Sequence, residues 1–336
     1  IDKALNWIDS HRNEPFFFFL HTYEVHDPYR MREPYFSQMA PAAGLNQGTR
    51  IALVSPRNRA EDGFRQRNGF VIRVPGRDGG ERLITDGEYP IVSAMYDSGI
   101  AYADSQLGRL FSGLHRLGVE DRTVVVVTSD HGEALGSNGR AGHIYPYESN
   151  VMIPLVIAAP GGRGAGREVP DQVRLVDLLP TVLALVGVDA PVGIDGISLV
   201  PLLDGRASPV PTVAYSYASA SVRGLSMRVD NRLKYILDNS AWGSFAGGEE
   251  LYDLRLDPQE TNNLAPDHPD IAELRKTATV FLEDRSSGLR LDIRNPGAGE
   301  VKGSILGHLV RPVATKSIGL SEPLVTWVET VSYTHL

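Results

Sequence analysis

The chain has 336 residues, a hydrophobic fraction of 42%, a charged fraction of 22% and a formal net charge of −8. This composition excludes a disordered or fibrous chain and leaves room for one large or two medium domains with a substantial core. The negative charge, with no dense Lys/Arg stripe, argues against a nucleic-acid partner. Cysteine is absent, which excludes disulfides and thiol chemistry within this sequence.

The chain begins inside a helical pattern, with apolar residues at positions 1, 4, 5 and 8. It does not open on a secretory signal, and the longest apolar stretch near the start, residues 15–20, is too short to cross a bilayer. We therefore expect the sequence to be a part of a longer protein. A periplasmic or extracellular location would require a signal upstream of Ile1.

Two apolar segments predict buried strands that end in polar side chains. Residues 16–20 run into a segment containing His21 and His26, and the valines at 124–127 run into Asp130, His131 and Glu133. In open α/β sheets, ligands bind at the carboxyl ends of strands. We expect both segments to border a ligand site.

Asp130 and His131 offer a hard oxygen and a borderline nitrogen, a pair suited to a divalent cation. The alternative is a turn in which Asp130 caps the next helix and His131 is a surface residue. Short motifs of this kind do not decide between the two by themselves.

The remaining elements alternate. The pattern predicts a helix from residue 96 to a stop at Gly118, a strand over 153–158 and a helix over 176–185, which together indicate a parallel α/β sheet. Residues 40–90 lack periodicity and predict a long surface insertion, either at the mouth of a site or as a disordered excursion. Strands over 224–237 and 250–254, followed by a helix over 269–284, predict a small antiparallel sheet with one covering helix.

Four stretches of the chain, 16–29, 96–104, 128–133 and 142–155, resemble the sulfatase family of the alkaline-phosphatase-like superfamily. Residues 250–254 and 257–264 are similar to that family's C-terminal signature. The resemblance implies an alkaline-phosphatase-like α/β fold, with a mostly parallel sheet flanked by helices in a partial catalytic domain over 1–205. It further implies a C-terminal α+β subdomain over 206–285. Residues 286–336 stay unassigned, and 331–336 look like translated sequencing-adapter sequence.

The resemblance also implies hydrolysis of sulfuric esters with a divalent cation, usually Ca2+, and a formylglycine nucleophile. Asp130 and His131 match the family's metal ligands. Many members carry Asn where this chain has His131, and the softer ligand could admit Mn2+ or Zn2+. His26 matches a loop histidine that contacts the sulfate or protonates the leaving oxygen.

The resemblance implies roles for three more residues, His143, Glu133 and Glu148. His143 lies near the position of a sulfate-binding Lys or His, with a surface residue as the alternative. Glu133 and Glu148 would orient neighbouring side chains through hydrogen bonds.

Two family features are missing from the sequence. No Asp-Asp pair precedes Phe16, and no Cys/Ser-x-Pro-x-Arg box, the source of formylglycine, is present. We expect both upstream, in an intact parent of which this chain is the C-terminal portion, and we expect the chain alone to be inactive. The expected substrate is a sulfated small molecule or glycan, with no membrane span in this chain and an open oligomeric state.

Two other functions fit the same pattern. One is a phosphonate or phosphodiester hydrolase, or a phosphoryl transferase, of the same superfamily. The other is a non-catalytic sulfatase-like protein. The nucleophile separates them, since cysteine in its box favours sulfate esters and threonine favours phosphoryl transfer.

Overall fold

A computed structural model of the protein describes residues 1–40, 45, 48–54, 69–73, 80–207, 213–218, 224–238 and 248–286. Within the described part, residues 1–190 and 195–286 form the first of two units, and residues 191–194 belong to the second. Every helix and strand below belongs to the first unit. No described helix is both long enough and apolar enough to cross a membrane.

Helix α1 (Asp2–His11) and helix α3 (Tyr89–Arg116) confirm two predicted helices. Ala4 and Ile8 are buried on α1, and Ile8 lies in one core cluster with Leu110, Leu114 and Val119. Gly118 adopts φ +67°, the left-handed conformation that ends helices and that glycine accepts without strain. Helix α3 therefore stops where the sequence predicts.

Three strands of a four-stranded antiparallel sheet lie within the predicted insertion. Its strands pair in the order β1 (Tyr29–Arg30), β2 (Arg50–Val54), β3 (Gly69–Arg73) and β4 (Glu81–Leu83). Helix α2 (Tyr35–Met39) follows β1. One core cluster of buried side chains joins α2, α3 and this sheet. It includes Tyr29, Phe36, Ile51, Phe70, Val92 and Met95. The structure thus differs from the expectation of a surface excursion over residues 40–90, because buried apolar side chains anchor these strands. Residues 41–44, 46–47, 55–68 and 74–79 of that segment lie outside the described part.

The segment 16–20 also differs from its prediction as a buried strand. It has no regular secondary structure, and Phe17 and Phe19 are 72% and 76% exposed. Phe16 and Phe18 alternate with them as partly buried residues. Only one face of the segment therefore contacts the core.

Two short antiparallel pairs carry the candidate site. Strand β5 (Val125–Thr128) pairs with β8 (Leu155–Ala158), and β6 (Ala134–Leu135) pairs with β7 (Ala141–Gly142). Strands β5 and β8 were both predicted, but as parallel strands, with β5 buried on both faces. The pair is antiparallel and half-buried, with Val156 60% exposed. Helix α4 (Glu148–Val151) precedes β8.

Helix α5 (Leu178–Leu185) confirms the predicted helix before Gly187, and α6 (Val200–Leu203) follows it. The C-terminal part is a four-stranded antiparallel sheet of β9 (Val213–Ala218), β10 (Gly224–Val229), β11 (Leu233–Asp238) and β12 (Glu249–Asp253). Helix α7 (Ile271–Ser286) covers one face. This small sheet with one helix matches the sequence prediction.

Candidate active site

The loop after β5 presents two donor side chains close together. His131 Nδ1 lies 2.9 Å from the Gly132 carbonyl oxygen. Because a carbonyl only accepts hydrogen bonds, Nδ1 carries the proton and Nε2 carries the lone pair of the neutral ring. Nε2 is 3.7 Å from Asp130 Oδ2, and the Asp130 side chain is 70% exposed. A basic nitrogen and an accessible carboxylate thus lie side by side.

The His26 loop rests on helix α3. A Cβ atom at Gly99 would lie 3.4 Å from the Glu24 carbonyl oxygen, so the backbones approach closely there. Arg32 Nη2 donates to Glu24 Oε2 at 2.6 Å and fixes the start of the loop. His26 Nδ1 lies 2.7 Å from the Asp27 carbonyl oxygen, which again leaves Nε2 as the basic nitrogen.

His143, which follows β7, joins the two loops. Its ring stacks on His131 with centroids 4.3 Å apart and planes 17° apart. Its centroid is 5.3 Å from that of His26. The structure therefore brings the four predicted site residues, Asp130, His131, His26 and His143, into one group drawn from three separate loops.

Glu133 controls the charge of His143. The Glu133 side chain is only 5% exposed, and its Oε2 lies 3.4 Å from His143 Nδ1. This hydrogen bond raises the pKa of His143, burial opposes it, and the negative charges of Glu133, Asp27 and Asp130 raise the pKa further. The site thereby favours a cationic imidazole, suited to an anionic ester.

Two neighbours of the site were not assigned from the sequence. Tyr29 is 2% exposed, and burial, with the charges of Glu133 and Asp27, raises the pKa of its hydroxyl far above the usual range. Asp27 Oδ2 accepts a hydrogen bond from the Leu53 amide at 3.3 Å, which ties the His26 loop to β2. No local sequence pattern indicates these roles, because both residues are held by strand β2. This strand begins 20 residues after the end of β1, with which it pairs.

The donor set fits part of a divalent-cation site. Asp130 supplies a carboxylate and His131 an imidazole, the mixed oxygen and nitrogen set that such cations accept. Within the described ranges, no group of three or more His, Asp or Glu side chains is arranged to hold a metal ion. The described residues therefore provide two donors to a cation, Asp130 and His131.

A family model described as Sulfatase matches residues 1–188, more than half of the chain. The chain belongs to the sulfatase family. A second model, described as N-sulphoglucosamine sulphohydrolase, C-terminal, matches residues 142–287 of this sulfatase chain. The two matches overlap over residues 142–188, a segment that contains His143 and α4.

Curated relatives extend well beyond the chain. Arylsulfatase K of Mus musculus is 31% identical over 193 residues, 56% of this sulfatase chain and 35% of the mouse protein. The multifunctional alkaline phosphatase superfamily protein PehA of Trinickia caryophylli is 30% identical over 311 residues, 85% of this chain and 58% of PehA. The chain thus spans between about a third and three fifths of these relatives.

Solved structures show the same fold. The phosphonate monoester hydrolase of Agrobacterium radiobacter is 30% identical with a TM-score of 0.50, over 60% of this sulfatase chain and 42% of the hydrolase. The predicted alkaline-phosphatase-like α/β fold is confirmed. The small antiparallel sheet with its helix is confirmed with it.

Proposed function

We propose that the intact protein hydrolyses sulfuric esters and that this chain supplies Asp130, His131, His26 and His143 to its active site. The observation that carries the proposal is the convergence of these residues, with His131 stacked on His143 at 4.3 Å. Imidazoles from three separate loops thus meet at His143, which contacts both His131 and His26.

Asp130 and His131 would hold a divalent cation, with Ca2+ as our first choice and Mn2+ or Zn2+ as alternatives that the imidazole ligand would also admit. When bound, such a cation acts as a Lewis acid on the ester oxygens. The nucleophile we propose is a formylglycine from the part of the protein upstream of this chain. His131 reaches the site through Nε2, because Nδ1 is committed to the Gly132 carbonyl.

The other histidines act on the substrate. His143 carries positive charge stabilised by Glu133, which attracts the sulfate monoanion and orients it by hydrogen bonding. His26, with Nδ1 anchored on the Asp27 carbonyl, first takes up a proton at Nε2 and, as the imidazolium, donates that proton to the leaving oxygen. The substrate class is a sulfated small molecule or glycan.

A phosphonate monoester or phosphodiester hydrolase is the second candidate. The similarity to a phosphonate monoester hydrolase at 30% identity favours it. Histidine at position 131 fits this candidate as well, since it departs from the Asn of many sulfatases. A non-catalytic protein of the same fold would be the third outcome of the test below.

The test assays the full-length gene product against an aryl sulfate and a phosphonate monoester. Hydrolysis of the sulfate ester, with a Cys- or Ser-x-Pro-x-Arg box in the upstream coding sequence, supports the proposal. Asp130→Asn should lower kcat/KM about a hundredfold or more, whereas Asp121→Asn, an exposed control on the turn before β5, should not change it. Activity on the phosphonate alone, or on neither ester, overturns the proposal that the protein hydrolyses sulfuric esters.

A further inference from the structure

A buried group of charges joins the C-terminal sheet to helix α4. Lys234 on β11 is fully buried, and its Nζ lies 2.6 Å from Glu148 Oε1 and 3.8 Å from Glu260 Oε1. Arg228 on β10 donates from Nη1 to Glu148 Oε2 at 2.8 Å. We name these four residues, Glu148, Arg228, Lys234 and Glu260, the Glu148 cluster. Two carboxylates face two cations, which offsets the cost of burying them.

The backbone of α4 is also held at its first residue. The Glu148 amide donates to Glu260 Oε2 at 2.8 Å, so the carboxylate satisfies one of the free amides at the helix start. Glu260 adopts φ +55°, a conformation that is uncommon for a residue with a side chain. The preceding residue is tied down too, because Tyr147 donates its hydroxyl to Glu250 Oε2 at 2.6 Å.

Helix α4 in turn contacts both loops that carry the site. The Gly132 amide donates to the Asn150 carbonyl at 2.7 Å, directly after Asp130 and His131. Asn150 is 2% exposed, and its Nδ2 donates to the Gly142 carbonyl at 3.3 Å, directly before His143. One short helix is thus bonded to the loop of His131 and to the loop of His143.

We propose that Glu148 is a positioning residue for the active site: the C-terminal sheet holds α4 through the Glu148 cluster, and α4 sets the spacing between His131 and His143. The inference rests on the proposed function in so far as it takes these two loops as the catalytic centre. Glu148 acts through Gly132 and Gly142. Directional ion pairs define a position more sharply than apolar packing, which tolerates sliding.

The test uses the full-length gene product with two readouts, the ring-proton NMR resonances of His131 and His143 and the affinity for Mn2+ added alone. Glu148→Gln keeps the side-chain shape and removes the charge. It should shift both sets of ring resonances, because stacked rings shift each other, and should weaken Mn2+ binding about tenfold. The matched control is Glu249→Gln on β12 of the same sheet, which breaks the ion pair with Arg275 of α7 and should leave both readouts as in the wild type.

A milder variant keeps the proposal testable if Glu148→Gln does not fold. Arg228→Gln removes one of the two ion pairs of Glu148 from a partly exposed position and should change both readouts in the same direction, by less. Folded variants of the cluster with wild-type histidine resonances and wild-type Mn2+ affinity would overturn the proposal. If the full-length wild-type protein does not bind Mn2+ at His131, the proposed function fails, whereas the histidine resonances still decide the positioning role.

Discussion

At the scale of single residues, each imidazole of the site is oriented by what its Nδ1 contacts. Nδ1 of His26 and of His131 contacts a backbone carbonyl, and Nδ1 of His26 also lies 3.4 Å from the Asp27 carboxylate, whereas Nδ1 of His143 faces the buried Glu133 carboxylate. A carbonyl orients a ring without adding a full charge, but a carboxylate also stabilises the protonated ring. The residue types were evident from the sequence, and the difference between their partners was not.

Replacing Glu133 should lower the pKa of His143. Glu133→Gln keeps a hydrogen-bond partner but removes the charge that favours the imidazolium, so we expect the pKa of His143 to fall. An NMR titration of the metal-free chain measures it. Glu120→Gln, beside the exposed His115, is the control and should not change the His143 pKa. An unchanged pKa in Glu133→Gln would show that Glu133 does not set the charge of His143.

At the scale of elements, the site depends on close contact between the loop after β5 and helix α4. A Cβ atom on Gly132 would lie 2.2 Å from the Ser149 carbonyl oxygen and 3.3 Å from the Asn150 Cα. These are backbone atoms, which do not rotate away as a flexible side chain would. Glycine at this position is therefore a packing requirement that no sequence pattern announces.

Gly132→Ala should lower the free energy of unfolding by about 2–3 kcal/mol, because the methyl group forces the loop away from α4. Urea unfolding followed by circular dichroism measures the change. Gly108→Ala on α3 is the matched control, since open space surrounds the added methyl group and a helical alanine stabilises by about 0.5–1 kcal/mol. Equal effects of the two substitutions would contradict the packing requirement.

The segment 16–20 makes a separate prediction, because its aromatic side chains differ in burial. Phe19→Ser should change the free energy of unfolding by less than about 1 kcal/mol and should raise solubility, since the ring is 76% exposed. Phe16→Ser removes a ring that packs against the core cluster of α1 and α3, and should cost about 3 kcal/mol. Thermal unfolding compares the stability of the two variants, and light scattering compares their solubility. A larger loss of stability for Phe19→Ser than for Phe16→Ser would show that Phe19, and not Phe16, is on the buried face of the segment.

At the scale of the whole molecule, the Glu148 cluster connects the sheet predicted over 206–285 with the loops predicted over 1–205. Burial raises the pKa of Glu260 to about 7, against the lowering effects of Lys234 and of the Glu148 amide, while the charges of Glu148 and Glu250 raise it. The folded protein thus holds this proton to a higher pH than the unfolded chain does. The contribution of Glu260 to stability is full below the ordinary Glu pKa and is lost as the pH rises to about 7.

Glu260→Gln should remove this pH dependence. Between pH 5 and pH 8 the variant should gain about 2 kcal/mol of unfolding free energy relative to the wild type, since glutamine does not ionise. Urea titrations at several pH values give the difference. As the control, Glu273→Gln on the exposed side of α7 should follow the wild-type curve. A constant difference between Glu260→Gln and wild type across this range would show that the buried carboxylate does not titrate there.

The sequence alone determined the features that depend on neighbours along the chain. Periodicity and glycine stops located α1, α3 and α5, and the C-terminal strands with α7 followed from their alternation. The motif around Asp130 and His131 pointed to the site, since metal-binding residue types after a strand are a local signal. The tertiary structure decided the rest: the sheet β1–β4, the one-sided exposure of 16–20, the stacking of His131 on His143 and the Glu148 cluster. These features join residues far apart in the chain, and the energy of such contacts depends on burial and distance, which local patterns do not contain.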